Sequence, residues 1–275
     1  MKVHLTLAFL VFYLATCSSV NCQTYVYTDA RVESMANADI TNKSAWNIFR
    51  NPSVLSNNNI SEINIGYRIP YHIQELSIQS ICGSFKTGNS SIGGGYTHSG
   101  SPLFNVQTGT LGFAHRLGAK INGGVALNLY TATLPDNIEK DYALSGDIGL
   151  TLYPSENINI GVSLKNISGS GFNEYKQEKI ERQYITGLSY LVERFIVAAS
   201  LKLNDQFNST LQIGTEIFLV ESFAIRAGAT ISELISIHAG AGYAHKFWVC
   251  DVAFNRHEYL GYTSNITIGF KIAAK

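Results

Sequence analysis

Strict alternation of apolar and polar side chains along most of the chain is the feature that most constrains its fold. In residues 157–165, isoleucine, valine and leucine occupy every second position, with asparagine, glycine, serine and lysine between them. The runs 144–152, 211–219 and 262–272 repeat the pattern. Successive side chains of a β-strand point to opposite faces, so a period of two predicts sheets with one apolar and one polar face.

About fourteen such runs follow one another from residue 61 onward. They lie near residues 61–68, 75–86, 90–98, 105–117, 121–132, 142–153, 157–166, 182–191, 194–203, 209–219, 223–230, 235–244, 247–255 and 262–272. An even number of strands, most of them about ten residues long, is typical of a transmembrane barrel.

The connections between these runs alternate in length. Even-numbered connections are short (residues 86–89, 117–120, 154–156, 192–193 and 220–222), whereas several odd-numbered ones are longer (residues 99–105, 133–141 and 167–182). Outer-membrane barrels have tight periplasmic turns and longer outer loops, so the asymmetry favours such a barrel. The short odd connection 205–207 departs from the pattern.

Composition agrees with a membrane barrel and disfavours other classes. Charged residues make up 15% of the chain, below the roughly 25% of soluble domains. A formal net charge of +0 argues against a nucleic-acid partner. The alternative is a soluble lipocalin or β-sandwich, but these folds rarely need so many strands in one domain. We therefore predict an all-β fold: a single transmembrane antiparallel β-barrel spanning residues 61–275, with outer-membrane lipid around it and with tyrosine, phenylalanine and tryptophan at the strand ends as interfacial girdles.

The first 22 residues have the pattern of a signal peptide, with an apolar core at Leu5–Ala15 and a cut before Gln23. The alternative is a lipoprotein in which Cys17 is acylated, although the threonine before it fits a lipobox poorly. Both alternatives predict export from the cytoplasm. Cys82 and Cys250 then remain, and two thiols cannot form a disulfide framework, so we expect them to be small apolar side chains on strand faces.

Residues 23–60 do not alternate, and we predict that they form a short plug with helical turns inside the barrel. Ala30–Ala38 has helical character, and Ser44 is placed to cap a second turn. Trp46 and Phe49 need a burial site, which favours a plug over a periplasmic tail leading into the first strand. The candidate plug residues are Trp46, Phe49, Asn51 and Pro52.

Charged residues on the polar face of the strands are the candidate lumen residues. Side chains of this kind at membrane depth must pair or meet water. We expect Asp251 or Asp147 to pair with a cation of the wall or plug. Strand glycines such as Gly93–Gly95 are expected to let the wall bend or the plug approach closely. The candidates are Asp147, Lys165, Lys202, Glu216, Arg226 and Asp251.

The sequence predicts neither an enzyme nor a metal or cofactor site. The stretch His98–Ser101, with Asp136 or Asp141 in another loop, is the most suggestive of a hydrolase. Loop serines and glycines are ordinary turn residues, however, and no activated-nucleophile motif surrounds them. The histidines are scattered singly without metal-ligand spacing.

Four segments in order resemble the PorV/PorQ-type and FadL-like outer-membrane proteins. They are Asp29-Ala30-Arg31 … Met35-Ala36-Asn37-Ala38 … Ala45-Trp46 … Asn51-Pro52-Ser53, then 159–167, then 214–228, and finally the closing hairpin 251–270. Two departures are the missing glycine before Arg31 and Ser53 where these families have alanine.

The resemblance implies an outer-membrane barrel of a Bacteroidetes-type Gram-negative bacterium and two functions. PorV/PorQ-type proteins are accessory to type IX protein secretion, which implies translocon components or secreted cargo as partners. FadL-like proteins carry hydrophobic small molecules through a plugged lumen and a side opening, which implies a hydrophobic ligand in the lumen. The secretion role is our main prediction, hydrophobic transport is the alternative, and an unassigned porin or scaffold is the remaining one.

Overall fold

The computed structural model describes residues 27, 29–57, 61–133, 140–172 and 180–272, and their strands form one closed barrel. Each strand pairs antiparallel with its chain neighbours, and the first pairs with the last. The strands are β1 Ser61–Ile69, β2 Ile78–Thr87, β3 Ser90–Gly100, β4 Asn105–Gly118, β5 Ile121–Thr133, β6 Lys140–Leu152, β7 Ile158–Lys165, β8 Gln183–Val192, β9 Phe195–Asn204, β10 Ser209–Val220, β11 Phe223–Ile231, β12 Ile235–Ala244, β13 Trp248–His257 and β14 Gly261–Ile272. The predicted barrel is confirmed, and each predicted strand begins and ends within three residues of the observed strand.

The largest boundary difference lies before β2, where the alternation suggests a strand that starts at residue 75. Two short 3₁₀ helices, Pro70–His72 and Gln74–Leu76, occupy this connection. Pro70 lacks a backbone donor for the ladder, and Tyr71 and His72 have φ angles of 54° and 55°. These left-handed conformations end β1 and delay the start of β2.

The outside of the barrel is apolar and the inside is polar, as the alternation predicts. Outward side chains such as Leu111 and Leu127 are 69% and 52% exposed, whereas inward Asn128 and Ser145 are buried. Tyr96, Tyr142, Tyr243 and Tyr262 are among the exposed aromatic side chains near strand ends. Tyr130 is an exception to the predicted girdles, because the strand phase turns it into the lumen. Among the described residues, no helix has the length and apolarity needed to cross a membrane.

The described residues from 27 to 57, which we call the plug segment, pack against the inward faces of the strands. Helix α1, Ala30–Ser34, is capped by Asp29, whose side chain accepts a 2.6 Å hydrogen bond from the Val32 amide. It is shorter than the predicted Ala30–Ala38, because Ala36 and Asn37 have φ angles of 57° and 61°. Two 3₁₀ helices follow, Ala45–Phe49, which Ser44 caps as expected, and Pro52–Asn57.

Inward glycines allow the plug segment to touch the wall at backbone distance. A Cβ atom added at Gly124 would lie 2.4 Å from the Ser53 nitrogen, and one at Gly214 would lie 2.3 Å from the Met35 carbonyl oxygen. Only glycine fits such contacts without displacing backbone. These glycines, which we call the glycine belt, are Gly66, Gly93, Gly95, Gly112, Gly124, Gly149, Gly161, Gly187, Gly214, Gly228 and Gly240.

The predicted signal peptide, residues 1–22 with Cys17, lies outside the described residues, as does Asp136.

Candidate functional site

The barrel has two distinguishable ends. The end with the short connections after β2, β4 and β6 is called the turn end, and the opposite end, with the longer connections, is called the loop end. The plug segment contacts the wall between them. The lumen side chains therefore form two groups: those that contact the plug segment, and those that lie nearer to the loop end.

A chain of alternating charges joins helix α1 to the wall strands β10, β11 and β13. The Arg31 guanidinium donates to the Glu216 carboxylate, with its Nε atom 3.1 Å from Oε1. Glu216 also accepts from Arg226 Nε at 2.6 Å, and Arg226 Nη1 donates to Asp251 Oδ1 at 2.7 Å. At the other end Arg31 Nη1 lies 3.9 Å from Asp39 Oδ2. We call these five residues the ion chain, and its neutralised charges can remain buried in the lumen because each has an opposite neighbour.

Glu33 is a second anchor of helix α1. Its carboxylate accepts two 3.0 Å hydrogen bonds from Arg68 Nε on β1. It also accepts hydrogen bonds from the side-chain amides of Asn255 and Asn265, each at 2.7 Å. The Tyr27 hydroxyl donates to Asn265 Oδ1 at 3.0 Å. A carboxylate with this many donors is satisfied despite its burial.

The cap of helix α1 carries an unusual carboxyl group. Burial raises the pKa of Asp29 from 3.8 to about 6, the Val32 amide opposes this rise, and the Asp251 carboxylate adds to it. Desolvation disfavours the charged form of a buried acid. Asp29 is therefore the group of the plug segment expected to titrate in weakly acidic solution.

Lys165 ties the second half of the plug segment to the wall. Its ammonium donates to the Phe49 carbonyl at 2.6 Å and lies 3.9 Å from Asp147 Oδ2. Asp147 also accepts from Asn128 Nδ2 at 2.9 Å. Nearby, Ser163 Oγ donates to the Arg50 carbonyl at 2.6 Å. The predicted pairings of Asp147 and Asp251 with cations are thus both present.

Asn51 and Pro52 lie where the plug segment touches β5 and β6. Asn51 Nδ2 donates to Thr151 Oγ1 at 3.2 Å, and its Oδ1 accepts from Ser53 Oγ at 2.7 Å. A Cβ atom at Gly149 would overlap Asn51 Oδ1. The plug segment and β6 are therefore in direct contact at Gly149.

Trp46 and Phe49 form an apolar cluster with Tyr27 inside the barrel. The Tyr27 and Trp46 ring centroids lie 4.9 Å apart, and those of Trp46 and Phe49 lie 6.3 Å apart. Both predicted aromatic residues are 5% exposed, so they have the burial site that their sequence position required. The remaining members are Ala45, Ile48, Leu55, Ile78, Cys82 and Ala114.

A separate apolar cluster lies toward the loop end. It contains Tyr130 and Ala132 of β5, Ala143 of β6, and Phe172 and Ile180 from the connection after β7. All five are less than a tenth exposed, and Val106 of β4 packs against them. We call it the loop-end cluster; unlike the cluster around Trp46 and Phe49, it contains no residue of the plug segment.

Asn166 holds the connection that brings Phe172 and Ile180 over the lumen. Its φ of 51° turns the chain away from the β7 direction. Its side-chain amide donates to the Ile180 carbonyl at 2.7 Å and the Ser170 carbonyl at 3.0 Å. Its own backbone amide donates to Asp147 Oδ1 at 2.8 Å. One side chain therefore fixes both stems of this connection.

The wall is least extensively paired beside the loop-end cluster. The β6–β7 ladder has five residue pairs, from Ile148↔Leu164 to Leu152↔Ile160, although β6 has 13 residues. Beyond Ile148, the contacts of β6 on this side include the bond from the Ile167 amide to the Gly146 carbonyl at 2.9 Å. We call this part of the wall the β6–β7 seam.

The structure brings most of the candidate lumen residues together in two groups. Glu216, Arg226 and Asp251 belong to the ion chain, and Asp147 and Lys165 belong to the second group. Lys202 points inward from β9 but makes no ion pair with any described residue.

Sequence reasoning missed Glu33, Arg68 and Asn166 as anchors. The strand phase of β1 does place Arg68 on the inward face, so that signal was present. Glu33 and Asn166 lie in segments without a repeating period, where no such signal exists.

Within the described ranges, no group of three or more His, Cys, Asp and Glu residues is arranged to hold a metal ion.

Comparison with known proteins identifies the fold. No protein-family model and no curated protein matches the sequence, so the PorV/PorQ resemblance has no support of that kind. Among solved structures, the toluene transporter TbuX of Ralstonia pickettii matches with a TM-score of 0.72 at 12% identity, covering 92% of this chain and 100% of that chain. The CymD monoaromatic hydrocarbon channel matches with a TM-score of 0.70 at 12% identity, covering 92% and 100%. A Pseudomonas aeruginosa FadL homologue matches with a TM-score of 0.67 at 9% identity, covering 90% and 98%. The chain therefore has the barrel fold of these FadL-type channels.

Proposed function

We propose that this protein is an outer-membrane channel for small hydrophobic molecules. The observation that carries the proposal is the loop-end cluster, a group of apolar side chains inside the barrel that includes no residue of the plug segment. The fold it shares with toluene and monoaromatic hydrocarbon channels supports the same class of solute.

The plug segment obstructs a straight aqueous path, since it contacts the wall at backbone distance at several positions of the glycine belt. A hydrophobic solute that reaches Tyr130 and Phe172 therefore needs either displacement of the plug segment or a way through the wall. The β6–β7 seam adjoins the cluster and has the shortest ladder of the barrel. We favour lateral passage at this seam, because a hydrophobic molecule is more stable in the membrane than in the polar half of the lumen.

The test is uptake of radiolabelled toluene by Gram-negative cells that express the protein, compared with cells that carry an empty vector. The Phe172→Asp variant puts a charge into the loop-end cluster and is expected to reduce the protein-dependent uptake at least tenfold. The matched control is Phe207→Asp, because Phe207 lies in another connection at the same end and is 80% exposed. Equal uptake by both variants and the unchanged protein would refute the role of the cluster.

The secretion role that the PorV/PorQ resemblance implies remains a prediction that no comparison supports. It requires a translocon subunit or secreted cargo as a partner. A mild-detergent pull-down from native outer membranes that recovers such proteins in stoichiometric amounts would favour secretion over transport.

A further inference from the structure

The outward face of the wall carries a continuous series of polar side chains on one side of the loop end. Each of the strands β1 to β6 contributes one, within two residues of the loop end of its strand, and each is the direct cross-strand partner of the next. Direct partners have Cβ atoms about 5 Å apart, so the series is unbroken. We call it the outer polar row: Tyr67, Gln79, His98, Gln107, Thr131 and Tyr142.

The row differs from an ordinary aromatic girdle. Gln79, His98 and Gln107 contribute amide and imidazole groups, whereas girdles are built from tryptophan and tyrosine. Gln79 and His98 alternate with the buried lumen side chains Ser80 and Thr97, so they face the membrane. An amide on a lipid-facing wall is stable only where water or a head group forms hydrogen bonds with it.

The wall from β9 to β12 is aliphatic at the same end. Its outward side chains there are Leu201, Leu211, Ile231 and Ile235, which are direct cross-strand partners in this order. All four are at least 36% exposed. The outer polar row is therefore a property of one face of the barrel and does not follow from the position of the rim alone.

Part of the row is held in place by hydrogen bonds. The Gln107 amide nitrogen donates to Asn105 Oδ1 at 3.2 Å, and its oxygen accepts from the Tyr96 hydroxyl at 2.9 Å. The Gln74 amide donates to the Tyr67 hydroxyl at 2.6 Å. A primary amide has two hydrogens and two lone pairs, so Gln107 keeps one of each for a further partner.

Below the row, toward the turn end, the outward face is apolar. The next outward positions on β3 to β6 are Tyr96, Gly109, Leu129 and Leu144, in cross-strand order. A Cβ atom added at Gly109 would have no neighbour within 4 Å, so the wall has a shallow depression between the larger side chains of Tyr96 and Leu129. This face thus offers hydrogen-bonding groups next to an apolar surface, which suits the head and the chains of an amphiphile.

We propose that the outer polar row binds the sugar head group of a glycolipid of the outer leaflet. Outer-membrane barrels direct their long connections outward, so the loop end meets the leaflet whose lipopolysaccharide carries phosphorylated sugars. Sugar hydroxyls can exchange hydrogen bonds with amide, imidazole and phenol groups alike. The acyl chains lie on the apolar wall below the row. The continuity of the row with this membrane-facing wall favours a lipid over a protein partner.

The experiment measures lipid binding by the purified protein in detergent. The probe is purified lipopolysaccharide with a short core, and phosphatidylglycerol is the reference, because it has acyl chains and a phosphate but no sugar. Bound lipid is counted by native mass spectrometry over a series of lipid concentrations. The test variant Gln79→Leu/His98→Leu gives two members of the row the aliphatic character of the β9–β12 face.

The unchanged protein is expected to bind lipopolysaccharide saturably and more tightly than phosphatidylglycerol. Gln79→Leu/His98→Leu should lower the affinity for lipopolysaccharide about tenfold, since two hydrogen bonds are lost, and should not lower that for phosphatidylglycerol. The matched control is Thr186→Val/Thr215→Val, which also replaces two outward polar side chains, but on β8 and β10. It should leave both affinities unchanged. Heat-modifiable mobility in electrophoresis verifies that each variant barrel is folded.

Equal affinity of the unchanged protein for the two lipids, or unchanged binding of lipopolysaccharide by Gln79→Leu/His98→Leu, would overturn the proposal. A doubled protein mass in detergent that this variant abolishes would also overturn it and would assign the row to a contact between two copies. Toluene uptake is measured separately with the loop-end variants, so failure of the glycolipid site and failure of hydrophobic transport give different results.

Discussion

The two halves of the plug segment are held in the lumen by different interactions. Helix α1 packs on β11–β14 and is anchored there by buried charges. The 3₁₀ helices Ala45–Phe49 and Pro52–Asn57 pack on β1–β6, mainly through apolar side chains and close contact with wall glycines such as Gly95 and Gly124.

The difference separates what fixes the position of the plug segment from what fills the lumen. Charge pairs are directional, and a displaced pair leaves buried charges without partners. Apolar contacts depend on area and tolerate small shifts. We therefore expect the α1 half to set the register of the plug segment and the second half to seal the lumen.

The largest expected effect is on the α1 half. Glu216→Ala removes the carboxylate that Arg31 and Arg226 share. Arg226 then keeps its hydrogen bond to Asp251, and Arg31 keeps its 3.9 Å contact with Asp39, so both buried cations lose a main partner. Removal of one member of such a buried set costs about 3–5 kcal/mol. Trp248→Phe removes the tryptophan on the outer surface of β13, so that the emission of Trp46 reports release of the plug segment in urea. In this background the free energy for release of the plug segment should fall by that amount.

The control for this variant is Asp205→Ala. Asp205 lies 3.9 Å from Arg182 in a pair whose side chains are 47% and 34% exposed. An exposed pair of this kind contributes about 0–1 kcal/mol. Equal losses in the two variants would contradict the anchoring role of the ion chain.

The second prediction concerns pH and the cap of α1. The pKa of Asp29 is about 6 in the seated plug segment and 3.8 when it is exposed. Between these values the seated state binds more protons, so its stability is highest below about pH 4, falls as the pH rises to about 6 and then levels off. The loss is on the order of 3 kcal/mol.

Asp29→Asn keeps a side-chain oxygen for the cap and removes the titration. The urea midpoint of Trp46 release should therefore vary less between pH 4 and pH 7 in this variant, and the variant should be the more stable protein at pH 7. An unchanged pH dependence would assign the effect to another group.

The smallest predicted effect concerns the sealing half. Gly124→Ala places a methyl group 2.4 Å from the Ser53 nitrogen, which is backbone and cannot turn aside. Overpacking of this kind costs about 1–3 kcal/mol. Gly109→Ala is the matched control, since nothing lies within 4 Å of its added Cβ atom. Ion conductance across planar bilayers should rise in Gly124→Ala and stay at the original level in Gly109→Ala.

The sequence predicts the wall far better than it predicts the contents of the lumen. The alternation in residues 157–165 is a local property of one strand, so it identifies β7 and the inward face of Lys165 without knowledge of any other strand. The same phase places Glu216, Arg226 and Asp251 in the lumen.

The partners of these charges could not be predicted in the same way. Arg31 meets Glu216 across 185 residues of sequence, and no period in residues 23–60 indicates which side chains face which strand. Phe172 and Ile180 lie in a connection, where hydrogen bonds of a single asparagine decide the path of the chain. Aperiodic segments acquire their positions from tertiary contacts alone.

The pairing of β1 with β14 has a consequence for the order of assembly. The plug segment precedes β1 in the chain, but Glu33 finds its amide partners on β13 and β14, which are made last. These contacts span 222 and 232 residues, so the entropy that the chain loses on closing such a long loop opposes their formation. A segment that is synthesised before any strand of the wall is thus among the last to reach its final place, and the ring must close around it.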